Sequence, residues 1–219
     1  MIRTSCMRFA LLAVALAGAS PSSASDPRAR VVPTSLNQAS INPSGITSQE
    51  GEMLELAVDF AARCGETLER WIASGEVSRE RLFSALYYPL PNTDPPKFTT
   101  DWDRLSDRDI LKIEEGVLAK SPLIQFAILV DRNGYLPTHN QRYSQPLTGN
   151  LAIDLVNNRT KRIFNDRTGL AAAQNEGPYL IQRYQRDTGE TMADLSVPVV
   201  VRGVRWGAVR IGYRALEAH

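Results

Sequence analysis

The residues best suited to chemistry lie late in the chain. If residues 191–201 and 204–213 are extended, alternation puts Asp194 and Ser196 on one side of the first strand. It puts Trp206 and Arg210 on the matching side of the second. An arginine can grip a carboxylate through two parallel hydrogen bonds, and an aspartate can take an amine. With aromatic walls, such a set suits a small carboxylate or zwitterion held in a cavity. Tyr135, His139, Tyr184 and Arg186 complete the candidate ligand-binding set. The competing arrangement is internal: Asp194 and Arg210 would pair with each other, or with Arg186 and Asp187.

His139 could sense pH, ligate a metal or hydrogen-bond a ligand, but a structural role competes, with His139-Asn140 pinning the loop before Tyr143. A zinc site needs several His or Cys ligands, and the chain holds two of each, so no metal or cofactor is expected. The polar loops 157–162 and 166–169 flank the same region. A short helix opening at Arg167 and Thr168 would favour an anion there, against the alternative of a solvated basic surface. Ser144, His139 and Asp131 or Asp154 can be written as a triad, yet no G-x-S-x-G elbow is present. Glu114 and Glu115 are neighbours on a helix and so point apart. There is no P-loop and no G-x-G-x-x-G. No enzyme is expected.

The elements that would position these groups follow from pattern. Arg3 and Arg8, the apolar run Phe9–Ala17 and the small residues Ser22-Ser23-Ala24 read as a signal peptide over 1–24, cut after Ala24. A periplasmic or secreted protein is therefore expected, and its removal would leave Cys64 as the one thiol. Residues 25–46, with three prolines, read as a flexible arm, and 47–215 as a single domain. The 25 basic and 24 acidic residues leave a formal charge of +1, which gives no push toward nucleic acid. The balance is uneven: 11 basic and 16 acidic residues over 25–130, against 12 and 8 over 131–219.

Thr47 and Glu50 have capping-box spacing. Met53, Ala57, Phe60, Ala61, Cys64, Leu68, Trp71 and Ile72 then form one helical stripe, with Cys64 a core thiol and Gly75 the stop. A short helix follows Ser78. The proline-rich run 88–96 is expected to be irregular, and a third helix is expected from about Ser106, with Ser106 and Asp109 as its cap. Leu123–Val130 reads as a buried strand, Asp131-Arg-Asn-Gly134 as a type I′ hairpin turn, and Tyr135–His139 as the return strand. Short helices are expected over 150–158 and 167–175. Three strands follow, 178–186, 191–201 and 204–213, as an antiparallel meander. The sum is an α+β domain: a long N-terminal helix on a five-stranded antiparallel sheet.

Several runs carry a resemblance. DRNGYLPTHN (131–140), LVNNRTKRIFNDRTGLAAAQN (155–175), YQRDTGE (184–190) and WGAVRIGY (206–213) resemble the extracytoplasmic Cache-type, PAS-like sensor domains of bacterial methyl-accepting chemotaxis proteins. YYPLPNTDPPKFTT (87–100) is similar to the segment before the sheet in that family. The resemblance implies a PAS-like fold that binds a small extracytoplasmic ligand for signal transduction. The chain departs from the family in stopping six residues after Tyr213, where family receptors continue into a membrane helix, so a free sensor that works with a membrane receptor or kinase, or a truncated receptor, is expected. The competing class is a ligand-free interaction module that docks on a receptor, or forms a homodimer, through helix 48–73.

Overall fold

The computed structural model describes residues 29–30, 45–186 and 190–216. The expected signal peptide, nearly all of the expected arm and most of the Asp187–Glu190 turn lie outside these residues. Beyond the two-residue strand β1 (Ala29–Arg30), the first large element is α1 (Ser48–Ala73). Its capping box forms as expected: Glu50 N donates to Thr47 Oγ1 at 3.2 Å, and Thr47 N donates to Glu50 Oε2 at 2.9 Å. The stripe from Met53 to Trp71 is buried, and Gly75 closes the helix at φ +75°.

After α2 (Arg79–Leu82), the proline-rich run is more regular than its composition suggests. β2 (Tyr88–Leu90) and β3 (Lys97–Thr99) pair antiparallel around it. Pro89 stands opposite Phe98, whose N–H points away from β2 to the Lys161 carbonyl at 2.8 Å, so Pro89 removes no ladder bond. The next helix also differs from expectation. The chain is helical already at α3 (Asp103–Leu105), passes through a π-helical turn (Ser106–Ile110) and continues as α4 (Leu111–Leu118). Ser106 is therefore inside the helix and caps nothing; its hydroxyl is buried without a partner among the described residues. Asp109 instead accepts the Trp71 indole N–H at 2.7 Å, tying this helix to α1.

The main sheet holds four strands of seven to eleven residues: β4 (Ile124–Asp131), β7 (Leu180–Arg186), β8 (Thr191–Val201) and β9 (Val204–Arg214). Its order is β1-β7-β8-β9-β4, all antiparallel, with β1 a two-residue fringe on β7. The α+β class and the long helix stand. The expected fifth strand does not: β5 (Tyr135–Leu136) leaves the sheet and pairs with β6 (Arg162–Ile163). The cause lies in the turn before it. Gly134 has φ +79°, but Asn133 is not in the left-handed region, so the turn is not type I′ and does not fold the chain back onto β4. Asp131 holds it in another shape, accepting Asn133 N at 2.8 Å and Tyr135 N at 2.9 Å. The type I′ signature appears instead at Arg202 (φ +51°) and Gly203 (φ +71°), between β8 and β9.

The sheet has two covered faces. Ala193, Leu195, Val197 and Val199 of β8 pack with Val209, Ile211 and Tyr213 of β9 against α1. The other face carries Ile128 and Val130 of β4, which pack with Leu136, Phe126, Phe164 and Ala173. The outer edge of β4 is sealed by side chains. Ala127 N donates to Asn140 Oδ1 at 2.8 Å, and Leu129 N donates to Glu114 Oε1 at 2.9 Å. Among the described residues, no helix is long and apolar enough to cross a membrane.

Candidate functional site

The second face gathers most of the candidate residues. Ser196 stands opposite Arg210 across the β8–β9 ladder, and Asp194 stands opposite Gly212. Arg210 Nε donates to Asp194 Oδ1 at 3.3 Å, and Arg210 Nη2 donates to Asp194 Oδ2 in a shorter second bond. Both residues are buried. Burial disfavours the Arg210 cation, but the charge and hydrogen bonds of Asp194 outweigh that and raise its pKa further. The internal pairing thus prevails over an arginine left open for a carboxylate. Tyr184, on β7, is close enough to contribute to the field at Arg210.

His139 enters from above the sheet. Its ring meets Phe126 at 6.2 Å and Tyr143 at 4.8 Å between centroids, and the Arg210 guanidinium lies 6.0 Å from the same Phe126 ring. Phe126 therefore brings His139 and Arg210 to one place. Burial, followed by the charges of Arg159, Arg210, Arg142 and Arg162, holds His139 well below the usual imidazole pKa. The ring is neutral at physiological pH, and its Nδ1 is buried without a hydrogen-bond partner among the described residues. Ser196 Oγ shares that condition.

The loop over this face is fixed from β4 and α4. Asn140 donates through Nδ2 to Glu115 Oε1 at 3.1 Å while its Oδ1 accepts from β4; Gln141 N also donates to Glu115 Oε1 at 2.9 Å. Asn140 rather than His139 does the pinning. Glu114 and Glu115 do diverge: one reaches the strand edge, the other this loop. Burial raises the Glu114 pKa well above its usual value. Ser144 Oγ donates to the His139 carbonyl at 2.9 Å, which is a loop contact and not a triad contact. α6 (Arg167–Ala173) packs on β8 and β9 and completes the cover, while α5 (Leu151–Asn157) packs on the turn at residues 141–143. The N-terminus of α6 is not open to an anion, because Asp166 accepts from Thr168 N and Gly169 N at 3.0 Å each.

Two candidates sit elsewhere. Tyr135 is buried beside α3, where its hydroxyl donates to Asp103 Oδ2 at 2.8 Å and its ring meets Trp102 at 5.9 Å. Trp206 is on the α1 side of the sheet. Val199 pairs with Gly207 and Val200 with Arg205, which leaves Trp206 as the extra residue of a β-bulge. The bulge resets the alternation, so the indole packs on Trp102 at 5.4 Å and donates to the Leu82 carbonyl at 2.9 Å. The side chain of Arg186 lies outside the described residues. Phe126, Tyr143 and Asn140 are the site-building residues that pattern reading passed over as ligand neighbours. Phe126 was detectable in principle, as the aromatic residue on the polar-facing side of β4.

A surface groove of about 410 Å³ lies between the start of α1 and the end of α4, lined by Gln49, Met53, Leu56, Lys120 and Leu216 among others. A second cleft, of about 10 Å³, is lined by Leu82, Asp131 and Trp206 among others. Neither includes Asp194, Ser196, Arg210 or His139. The cover over that group is closed in this conformation. Among the described residues, no group of three His, Cys, Asp or Glu side chains could hold a metal ion. Cys64 is buried, and burial followed by the nearby Glu114 raises its pKa well above that of a free thiol.

A scan against protein-family models found no match, nor did a search of curated proteins or a search of solved structures.

Proposed function

We propose that this chain is an extracytoplasmic, PAS-like sensor domain of the Cache type that binds a small organic molecule on the sheet face opposite α1. One observation carries the reading. His139 Nδ1 and Ser196 Oγ are both buried and unpartnered among the described residues, around the Asp194–Arg210 pair. An unsatisfied buried polar group costs about 1–3 kcal/mol, so such groups are scarce in folded domains. Six such side-chain atoms occur among the described residues, and the two that share the face of the ion pair, beneath a loop and α6, suit a site that a ligand completes. The ligand would meet His139 and Ser196 directly. The ion pair supplies a polar floor, and a carboxylate or zwitterion must compete with Asp194 for Arg210.

The route from site to output supports the same reading. Arg210 lies on β9, and the end of β9 is fastened to the start of α1. Gln49 Nε2 donates to the Arg214 carbonyl at 2.9 Å, and Leu216 N donates to Gln49 Oε1 at 2.9 Å. A ligand that shifts β9 would therefore shift the pole where both ends of the domain leave. A membrane receptor or kinase reading that pole is the partner proposed. The docking alternative through α1 has less to work with, because the apolar stripe of that helix is spent on β8 and β9.

Thermal-shift screening of the full chain against free amino acids, organic acids and purines tests the proposal. A hit that stabilises the native chain but not Ser196→Ala supports it. A panel without hits, or a hit indifferent to Ser196 and His139, contradicts it.

A further inference from the structure

We propose, independently of the ligand site, that the outward face of α5 seats on an anionic lipid surface. α5 is inverted for a helix on a folded domain. Its single charged residue, Asp154, is the buried one, accepting from Thr148 N and Thr148 Oγ1 at 2.8 Å each and from Gly149 N at 3.0 Å. Leu147, Leu151, Ile153, Leu155 and Val156 stand 38% to 45% or so exposed within ten residues. Asp154 is the only charged residue between Arg142 and Arg159. A segment that hides its carboxylate and shows five large aliphatic side chains is built for a nonpolar partner.

The rim of this knob is basic. Arg162 Nη1 donates to the Leu155 carbonyl at 3.4 Å, so its guanidinium lies against the helix. Arg159 and Arg162 both stand over the Phe164 ring, at 5.2 and 4.9 Å, and Arg142 stands over Tyr143 at 5.9 Å. Charge and shape together choose the occupant. A second copy joined by a twofold axis would set these arginines against their own counterparts. A protein groove takes one stripe of a helix, at i, i+3 and i+4. Here residues 151, 152, 153, 155 and 156 are all exposed, on every side except that of Asp154. A fluid acyl boundary accepts a knob from all sides, and anionic headgroups match the arginine rim.

Co-sedimentation of the full chain with phosphatidylglycerol and phosphatidylcholine vesicles tests this. The apolar run 9–17 is identical in every variant, so differences between variants isolate α5. Leu151→Ser/Ile153→Ser should lower partitioning into phosphatidylglycerol vesicles by about tenfold or more. Arg159→Gln/Arg162→Gln should lower it on phosphatidylglycerol and leave phosphatidylcholine unchanged. Melting curves check that each variant is folded, with Leu155→Ser/Val156→Ser replacing the first pair if it is not. Equal partitioning of wild type and folded aliphatic variants overturns the proposal, as does indifference to lipid charge. Concentration-dependent self-association abolished by the same substitutions would assign the face to a second copy and also overturn it.

Discussion

At the scale of single residues, the second face of the sheet rests on one buried ion pair. Breaking such a pair from one side leaves a buried charge alone, which costs about 3–5 kcal/mol. Asp194→Ala should therefore lower unfolding stability by about that amount. Asp194→Ala/Arg210→Met should be less destabilised than Asp194→Ala alone, and denaturant titration of both decides it. His139 gives a pH signature. Its folded pKa is depressed by burial and by Arg159, Arg210, Arg142 and Arg162, so only the unfolded chain takes a proton as pH falls below about 6.5. Its contribution to stability is thus present above that pH. It is lost at up to about 1.4 kcal/mol per pH unit below it. Stability measured down to about pH 5 should fall less steeply in His139→Gln than in wild type. Glu114 has the opposite sign. Its folded pKa is raised by burial, so it penalises folding as pH rises above about 4.5. Glu114→Gln keeps an acceptor for Leu129 N and should gain stability relative to wild type across that rise.

At the scale of elements, two small devices decide what faces what. The bulge at Trp206 moves an indole from the face that strict alternation assigns to it into the core with Trp102. Gly207, next to it, is the position where a side chain cannot fit: an added Cβ would collide with the Val130 carbonyl of the neighbouring strand. Gly207→Ala should cost about 1–3 kcal/mol in thermal or chemical unfolding. Asn140 is the second device, bridging the β4 edge and Glu115. Asn140→Ala should speed hydrogen exchange at Ala127 and loosen the loop over His139. These devices also explain what could be read from the sequence. The capping box at Thr47 and Glu50, the helical stripe to Trp71 and the three-strand meander were legible, because each is a local pattern with its own period. The departure of β5, the helical start at Asp103 and the flip of Trp206 were not. Each depends on a partner far along the chain: β6 for Tyr135, Tyr135 for Asp103, and β8 for Trp206. Of the candidate residues, alternation placed Asp194, Ser196 and Arg210 on one face of the sheet, where the structure also has them. Of the two arrangements the sequence offered for Arg210, the structure holds the internal pair with Asp194.

At the scale of the whole molecule, one sheet separates two kinds of interior. The face toward α1 is a mainly apolar core, in which the buried Tyr213 hydroxyl has no partner among the described residues. The face toward α6 mixes aliphatic packing with a buried ion pair and two polar atoms unsatisfied among the described residues. The acidic 25–130 segment and the basic 131–219 segment meet at this sheet, as α1 glutamates pair with its arginines: Glu50 with Arg183 on β7, and Glu69 with Arg202 in the β8–β9 turn. The charge asymmetry in the sequence is in part this internal docking. The central claim is that a small molecule completes the polar face. Isothermal titration of the full chain, wild type and Ser196→Ala side by side, with the best-stabilising free amino acid, organic acid or purine tests it most directly. Saturable binding by wild type, weakened at least about tenfold by loss of one buried hydrogen bond in the variant, is the predicted result. The absence of binding by any of these compounds, or equal affinity in both proteins, would contradict it.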